Sequence, residues 1–350
     1  MLFIFILFVV FILVVAVSNV EDGDDNVYLQ WGYIGVLVIL TLLVGFRPIG
    51  IDKDSLTYLS YFEMVDVGVV ELVEPSFHLI SGIARVLDSP QLIFIIYALL
   101  AIPLKGYAIS KLSSCWFLSL AVWMNNYFIL QECTQIRVAV AGSIFLVAFY
   151  FLVERKKWIY FGLTLVAIFF HFSALLLIPL LVFGTKPINK AWRIFLAAAP
   201  LFCYLIYMKG IDPLTMIPIP LFQEKMEIYE MVRDKGITEE LNVFNMMALF
   251  RLGCYYFILW KCDEIYKDCE HIYLMLKIMC LSICCFAFFA YMPPVAVRSS
   301  ELYGVIDILI LPAMIYAVKP EWVVKVCLGV VCFGLFFMNI FINQLLNMDI

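Results

Sequence analysis

Long apolar blocks with almost no charge recur along this chain, and they restrict its fold more than any other feature. Six of them approach the roughly 20 apolar residues that a helix needs to cross a bilayer. They are Met1–Val17, Leu29–Phe46, Gln91–Ile109, Cys115–Leu130, Ile136–Val153 and Val326–Ile342. With 65% hydrophobic and 15% charged residues, the chain has more apolar surface than a water-soluble fold buries. Because lipid offers the backbone no hydrogen-bond partners, the blocks predict an all-α polytopic membrane protein of about 10–12 spans.

Basic residues predict which side of the membrane each loop faces, because Lys and Arg are enriched in cytoplasmic loops. The cluster at residues 155–157 lies between two strong blocks, so we assign it to the cytoplasm. This assignment places Lys105 inside and two polar segments, residues 47–89 and 209–245, outside. Within the second segment, residues 223–235 predict an interfacial amphipathic helix, because apolar side chains alternate there with charges.

Residues 158–183 allow two topologies. As a single helix, the stretch would place the basic residues that follow it outside. As two short legs, a re-entrant hairpin or a broken pair, it keeps them inside, and we favour this interpretation. His171 lies at the middle of the stretch, between two phenylalanines. A lone His in an apolar block is more often a core residue than a ligand, and no second His lies near it to suggest a metal site.

The whole chain, residues 1–350, is expected to form one integral membrane domain. Its eleven cysteines are scattered and mostly lie in apolar blocks, where Cys usually acts as a small hydrophobic residue. The pair Cys262 and Cys269 flanks a short polar loop, but no second pair completes a zinc pattern. We therefore expect no metal site. As separate expectations, the chain should need no cofactor and bind no nucleic acid.

Ionisable residues at membrane depth, or just above it, are the candidates for chemistry because burying them in lipid is costly. Arg47 closes the second block and is followed by Asp52, Asp54 and Tyr58. An Arg grips a diphosphate through two hydrogen bonds, and an aromatic face stacks on a sugar ring, so this group suits a phosphosugar. The alternative is an interfacial anchor of Arg and Tyr.

Glu74 and Arg137 are each expected at the start of a helix. Glu74 precedes Pro75, and a carboxylate there is stabilised by the helix dipole; its functional alternative is a base for an acceptor hydroxyl. Arg137 follows Gln135 at a helix N-terminus, where the dipole disfavours a cation. An anionic ligand would offset that cost, and the alternative is an Arg that snorkels to the interface.

Three further charged residues lie late in the chain. Arg298 and Glu301 are three residues apart and share a helix face, so they either pair with each other or serve a substrate. With Arg137, Arg298 would give two cations at the same face of the membrane. Arg251 lies inside a predicted span and either pairs with Asp307 or contacts the substrate.

In this order, these elements resemble the EpsG branch of the Wzy-type polysaccharide polymerases. The match covers roughly residues 40–315 and runs through Arg47, Gly50, Asp54 and Tyr58, then Glu74–Phe77, then Ile136 and Arg137 with Ala139 and Ala141, then Phe170–Ala174, and finally Arg298, Tyr303 and Pro312. The sequence departs from the family pattern in one respect. The family's Asp stands two residues after the Gly, at Asp52, whereas the spacing to Tyr58 selects Asp54, so both remain candidates.

The resemblance implies a membrane glycosyltransferase similar to the GT-C type, in the bacterial inner membrane with its active site facing the periplasm or exterior. Such enzymes transfer a growing glycan from undecaprenyl diphosphate to a lipid-linked repeat unit, and they are thought to need no metal. A chain-length-regulating protein is a candidate further partner. The proposed catalytic residues are Arg137, Arg298, Glu74 and His171. The proposed substrate contacts are Arg47, Asp52, Asp54, Tyr58, Gln135, Arg251, Glu301 and Tyr303.

Two other functions compete with this hypothesis. A flippase of the same lipid-linked oligosaccharide would also use external arginines, but it usually shows an internal repeat, and none is visible in the sequence. A membrane O-acyltransferase would need a catalytic His, for which His171 is the deep candidate.

Overall fold

The computed structural model describes residues 1–21, 26–64, 73–213 and 241–347 of the chain. Within these ranges the chain is helical, apart from an isolated β-bridge between Asp52 and Leu346 and the connecting loops. The predicted all-α polytopic fold is therefore confirmed. The amphipathic helix predicted at residues 223–235 lies outside the described residues.

Fourteen α-helices lie in the described part of the chain. In chain order they are α1 Leu2–Val20, α2 Val27–Gly45, α3 Ser55–Met64, α4 Pro75–Val86, α5 Gln91–Leu112, α6 Trp116–Asn125, α7 Ile136–Val153, α8 Lys157–Phe170, α9 Lys190–Met208, α10 Met246–Ile265, α11 Ile272–Phe288, α12 Pro293–Gly304, α13 Asp307–Ile310 and α14 Trp322–Phe337. Wider π-helical turns cover Phe128–Thr134 and Met338–Ile342, and narrower 3₁₀ turns cover Phe172–Val182 and Pro312–Tyr316.

By length and composition, seven described helical stretches could cross a membrane. They are Leu2–Val20, Val27–Gly45, Gln91–Leu112, Ile136–Val153, Lys190–Met208, Pro293–Tyr316 and Trp322–Ile342. Shorter apolar helices accompany them at Trp116–Asn125, Lys157–Phe170, Phe172–Val182 and Ile272–Phe288. The chain is a multi-pass membrane protein. The number of crossings and the sidedness of the loops stay predictions.

The chain divides into two compact units. The first comprises Met1–Leu181 and Asp307–Ile350, and the second comprises Val182–Ile306. In the first unit, α5 packs against α2 and α7, and α7 packs against α8. The first and last long helices also join there through aromatic rings, since Phe11 stacks on Phe336 with ring centroids 4.2 Å apart.

In the second unit, α11 packs against α9, α10 and α12. Tyrosines on α10 strengthen the contact with α9 by donating hydrogen bonds to its backbone. Tyr255 Oη lies 2.7 Å from the carbonyl oxygen of Leu196, and Tyr256 Oη lies 2.9 Å from that of Ala197. A hydroxyl buried in an apolar bundle needs such an acceptor, so these bonds set the pairing of the two helices.

Two short legs replace one long helix around His171. The first leg, α8, ends at Phe170, and His171 has the extended dihedral angles φ −155° and ψ 120°. If the 3₁₀ leg continued in the same direction, Tyr160 and Leu177 would lie more than about 25 Å apart. Instead, Tyr160 Oη donates to the carbonyl oxygen of Leu177 at 2.6 Å. The second leg therefore folds back along the first, and the prediction of two short legs is confirmed.

The block Cys115–Leu130, predicted as one span, does not form one continuous helix. Helix α6 ends at Asn125, Asn126 leaves the helical region with φ −141° and ψ −61°, and the wider Phe128–Thr134 turn follows. Short amide side chains compete with the helix backbone for hydrogen bonds, which favours a break there. A side chain from the end of the chain also stabilises the break, because Asn339 Nδ2 donates to the carbonyl oxygen of Asn125 at 2.9 Å.

Candidate functional site

Glu74 joins three of the motifs identified in the sequence. It precedes α4, whose first residue is Pro75, and its side chain is 5% exposed. Arg137 Nη1 donates to Glu74 Oε2, and His171 Nδ1 lies 2.7 Å from Glu74 Oε1. One carboxylate therefore contacts residues that lie 63 and 97 positions away along the chain. All three belong to the first unit.

Each member of this cluster lies where a helix begins or ends. Arg137 is the second residue of α7, Glu74 is the N-cap of α4, and His171 is the residue that ends α8. The backbone N–H of His171 still bonds to the carbonyl oxygen of Ala167 at 2.9 Å, so the last turn of α8 holds the residue in place. Side chains at helix ends lie beside unpaired backbone groups, which makes such positions polar inside an apolar bundle.

Glu74 is ionised in this environment. Burial raises the pKa of its carboxyl, but the hydrogen bond with His171 and the positive charge of Arg137 outweigh burial, and the net shift is downward. An ionised carboxylate only accepts hydrogen bonds, so His171 Nδ1 carries a proton. In a neutral imidazole, the other nitrogen, Nε2, then has a free lone pair.

Two nitrogens of this cluster are buried and have no hydrogen-bond partner among the described residues. Neither His171 Nε2 nor Arg137 Nε forms a hydrogen bond within the described residues. A buried polar atom without a partner costs about 1–3 kcal/mol. Both atoms are therefore suited to bind a ligand that brings a hydroxyl group or an anionic oxygen.

Tyr58 forms an aromatic wall beside Arg137. The Arg137 guanidinium carbon lies 5.5 Å from the centre of the Tyr58 ring, a cation–π contact. Burial raises the pKa of the Tyr58 hydroxyl to about 12, so this residue is a neutral phenol at physiological pH. The ring also lies 5.8 Å from that of Phe77, which comes from the same segment as Glu74.

Arg47 and Asp52 form a buried ion pair in the loop before α3. Arg47 Nε lies 3.0 Å from Asp52 Oδ2, and Arg47 is 1% exposed. The other carboxylate oxygen, Asp52 Oδ1, accepts hydrogen bonds from the backbone N–H groups of Asp54 at 3.1 Å and Ser55 at 2.9 Å, which caps α3. Asp52 rather than Asp54 is thus the partner of Arg47. The pair anchors the loop that leads to Tyr58.

The structure also locates the remaining sequence-predicted residue of the first unit. Gln135 is the residue between the wide turn and α7, and it is half-buried. Its backbone N–H bonds to the carbonyl oxygen of Leu130 at 2.9 Å, and its own carbonyl oxygen accepts from Ala139 N at 3.0 Å. It therefore links the two helical segments through its backbone.

The other sequence-predicted residues lie in the second unit. Arg251 Nη2 donates to Ser282 Oγ at 3.0 Å, and Ser282 Oγ bonds in turn to the carbonyl oxygen of Ser300 at 2.5 Å. This chain of polar groups connects α10, α11 and α12. Arg298 on α12 is exposed, and in the described part of the chain its guanidinium forms no ion pair or hydrogen bond, with Glu301 or with any other residue. Tyr303 is buried at the end of the same helix.

Sequence reasoning missed a second buried ion pair in the first unit. Lys105 Nζ donates to Glu132 Oε1, and both side chains are fully buried. Lys105 lies within α5, where Glu132 pairs with its ammonium group, and its position on the cytoplasmic side stays a prediction. A Lys inside one apolar block and a Glu two residues past the next block were the available signal. The sequence also suggested Arg251 as a partner of Asp307. In the structure, Asp307 accepts a hydrogen bond from Tyr127 Oη at 3.2 Å.

No group of three or more His, Cys, Asp or Glu side chains in the described residues is arranged to hold a metal ion.

Comparison with known proteins gives one match. No curated protein and no solved structure matches the chain. The model of the EpsG family matches residues 30–349, which include every candidate residue described above. This family supports a role in making polysaccharide of the polymerase type. Since the match extends over nearly the whole sequence, the chain belongs to the EpsG family.

Proposed function

We propose that this protein is a glycosyltransferase that polymerises lipid-linked repeat units at the outer face of the bacterial inner membrane. It would transfer the growing glycan from undecaprenyl diphosphate to the next repeat unit, for O-antigen, capsule or exopolysaccharide. The observation that carries the proposal is the binding of one carboxylate, Glu74, to both Arg137 and His171, each of which keeps a buried nitrogen that no other described residue binds. Membership of the EpsG family supports the same class of reaction.

The proposed base is His171. An acceptor sugar hydroxyl must lose a proton as it attacks, and His171 Nε2 has a free lone pair because Glu74 holds the proton on Nδ1. Glu74 is less suited to take the proton itself, since both of its oxygens already accept hydrogen bonds. Its function in this mechanism is to orient the imidazole and to stabilise the imidazolium that forms.

The proposed electrophilic group is Arg137. In an inverting displacement, the acceptor oxygen bonds to the anomeric carbon, while the bond from that carbon to the diphosphate oxygen breaks and its electron pair leaves with undecaprenyl diphosphate. The hydroxyl proton passes to His171 Nε2 and afterwards to water. A preorganised guanidinium stabilises the negative charge that develops on the leaving group, which lowers the barrier directly.

Deletion of the gene, followed by gel analysis of the surface glycan, tests the reaction class. A polymerase predicts a ladder that collapses to a single repeat unit on the outer face. Arg137→Ala should reproduce this collapse in a complemented strain, with the protein still present in the membrane at the normal level. Arg193→Ala is the matched control, because that arginine is partly exposed and pairs with Asp263 in the second unit. Glycan of normal length in the Arg137→Ala strain would contradict the proposed leaving-group contact.

The contact between His171 and Glu74 also favours acyl transfer. The gene-deletion strain distinguishes acyl transfer from polymerisation. A histidine oriented by a carboxylate is the base that an O-acyltransferase needs to activate a hydroxyl. An acyltransferase predicts a deletion strain with a normal ladder and with less acetyl on the glycan. A flippase predicts repeat units that accumulate on the inner face, which accessibility to an added, membrane-impermeant glycosidase distinguishes from repeat units on the outer face.

A further inference from the structure

The buried pair of Lys105 and Glu132 lies beside the wide π-helical turn, Phe128–Thr134, and this turn leads directly into α7. Only Gln135 separates the turn from the helix that carries Arg137. π-Helical turns are rare and occur frequently at functional sites, so a stable one needs interactions that hold it.

Both oxygens of the Glu132 carboxylate are bound. Lys105 Nζ donates to Oε1, and Trp123 Nε1 donates to Oε2 at 3.0 Å. The ammonium group of Lys105 also donates to Gln131 Oε1 at 3.2 Å, and it lies 5.2 Å from the centre of the Trp123 ring. One ammonium group thus holds two consecutive side chains of the turn, Gln131 and Glu132.

Consecutive side chains of a helix point in directions about 100° apart. A single group that binds both therefore sets the rotation of the segment about its axis. This rotation determines where Arg137 points, because α7 continues from the turn. With side chains, a helix has a radius of about 5–6 Å, so a rotation of roughly 30° would move an outer atom by about 3 Å. That displacement is enough to break the hydrogen bond from Arg137 to Glu74.

We propose that Lys105 and Glu132 are positioning residues, which fix the wide turn and so direct Arg137 toward Glu74 and the substrate. The inference rests on the proposed function, because it assigns these residues to the same reaction. Neither side chain needs to touch the substrate. Trp123 contributes by binding the second oxygen of Glu132 and by lying beside the ammonium group.

The test compares breaking the pair with replacing it. Glu132→Gln leaves a buried ammonium group without its counter-charge, which is strongly destabilising, whereas an apolar pair of similar volume is often neutral for stability. For the double variant with Lys105→Leu and Glu132→Leu, we expect a normal protein level and thermal midpoint, and at least tenfold less glycan beyond one repeat. Lys277→Leu, which removes another buried lysine in the second unit, should keep the full ladder.

A normal ladder from the double variant would show that the pair only stabilises the fold and would overturn the inference. If the double variant does not accumulate in the membrane, the Trp123→Phe variant tests the inference instead. It keeps the ion pair and removes only the hydrogen bond to Glu132 Oε2. It should reduce the glycan beyond one repeat by at least twofold at an unchanged protein level. An unchanged ladder from Trp123→Phe would then overturn the inference.

Labelling of Cys133 provides a readout that does not depend on activity. Cys133 lies in the wide turn and is fully buried, so N-ethylmaleimide should not modify it in the wild-type membrane protein. In the Glu132→Gln variant, Cys133 should become labelled. Buried Cys115 of the same unit should stay unlabelled and serves as the reference, and mass spectrometry measures both residues. If gene deletion leaves the ladder unchanged, the proposed function fails, and Cys133 labelling still tests whether the pair holds the turn.

Discussion

Replacement of Glu74 by Gln should abolish polymerisation while the helices stay in place. The substitution is nearly isosteric, but an amide has one acceptor oxygen where the carboxylate has two. The Arg137 guanidinium only donates hydrogen bonds, so the amide oxygen is drawn toward it. The amide NH₂ group then faces His171 Nδ1, which must become an acceptor. The proton moves to Nε2, and the imidazole loses the lone pair that the proposed reaction uses.

The size of the effect follows from this change of tautomer. The wrong tautomer of an oriented catalytic His lowers the rate by about 10⁴-fold in a well-studied hydrolase. We expect a loss of about 10³- to 10⁴-fold for Glu74→Gln, which corresponds to about 4–5.5 kcal/mol of transition-state stabilisation. The folded state should lose less, about 1.5–3 kcal/mol for one charged hydrogen bond, because the Arg137 side chain keeps 20% exposure.

The assay measures glycan length in a deletion strain that carries each variant at matched membrane levels. Glu74→Gln should give single repeats, and Glu63→Gln should give the wild-type ladder, because Glu63 is an exposed carboxylate on neighbouring α3. Long glycan from Glu74→Gln would refute the reasoning, since it would show that His171 needs no anionic partner. Loss of the ladder in Glu63→Gln as well would point to general sensitivity to lost carboxylates.

Three further predictions follow from the same geometry. Tyr58→Leu removes the ring beside Arg137 and should cost about 0.5–2 kcal/mol, read as a two- to 30-fold loss of polymer, whereas Tyr58→Phe keeps the ring, loses only the hydrogen bond between the phenol and Arg137, and should cost less. The lowered pKa of Glu74 contributes stability that is present above its ordinary pKa of 4.5 and is lost as the pH falls through the folded value. The difference in thermal midpoint between wild type and Glu74→Gln should therefore shrink below about pH 4.5. Leu346 is fully buried and bridges to Asp52, so Leu346→Ala should destabilise the first unit by about 2–5 kcal/mol, as thermal unfolding in detergent would show.

The sequence predicts the membrane fold well because long apolar blocks leave few alternatives. Helix α7 begins and ends where its block was predicted to, at Ile136 and Val153. The break at His171 was also predictable, because charge on the flanking loops favoured two legs over one. The break at Asn125 was missed, since only local competition from amide side chains signals it and apolar residues continue on both sides.

The candidate residues were predictable one by one, but their contacts were not. Glu74, Arg137 and His171 stood out as polar groups in or beside apolar blocks. Their convergence depends on how α4, α7 and α8 pack, and sequence spacing carries no such information. The choice between Asp52 and Asp54 also needed the structure. Asp54 directly precedes α3 and is the residue that the capping rule would select, yet Asp52 caps the helix, since its Oδ1 accepts from Ser55 N at 2.9 Å.

The contact between Lys105 and Glu132 was not predicted, because the membrane-side rule considers basic residues alone. Helix α5 extends to Leu112, so Lys105 lies two turns inside the helix. A buried lysine must find a counter-charge, and Glu132, two residues past the next apolar block, supplies it. Pairing opposite charges of neighbouring helical segments would have predicted this contact.

The length of α8 determines how far His171 reaches toward Arg137. Helix α7 has 18 residues and α8 has 14, so at about 1.5 Å per residue they extend roughly 26 and 20 Å. Since a short turn at residues 154–156 joins these two packed helices, His171 lies about one helical turn short of the end of α7 at which Arg137 lies. Glu74 bridges that gap by binding both residues. A hairpin one turn longer or shorter would move His171 by about 5 Å and remove it from Glu74, so the proposed base depends on the number of residues in α8 as much as on the imidazole itself.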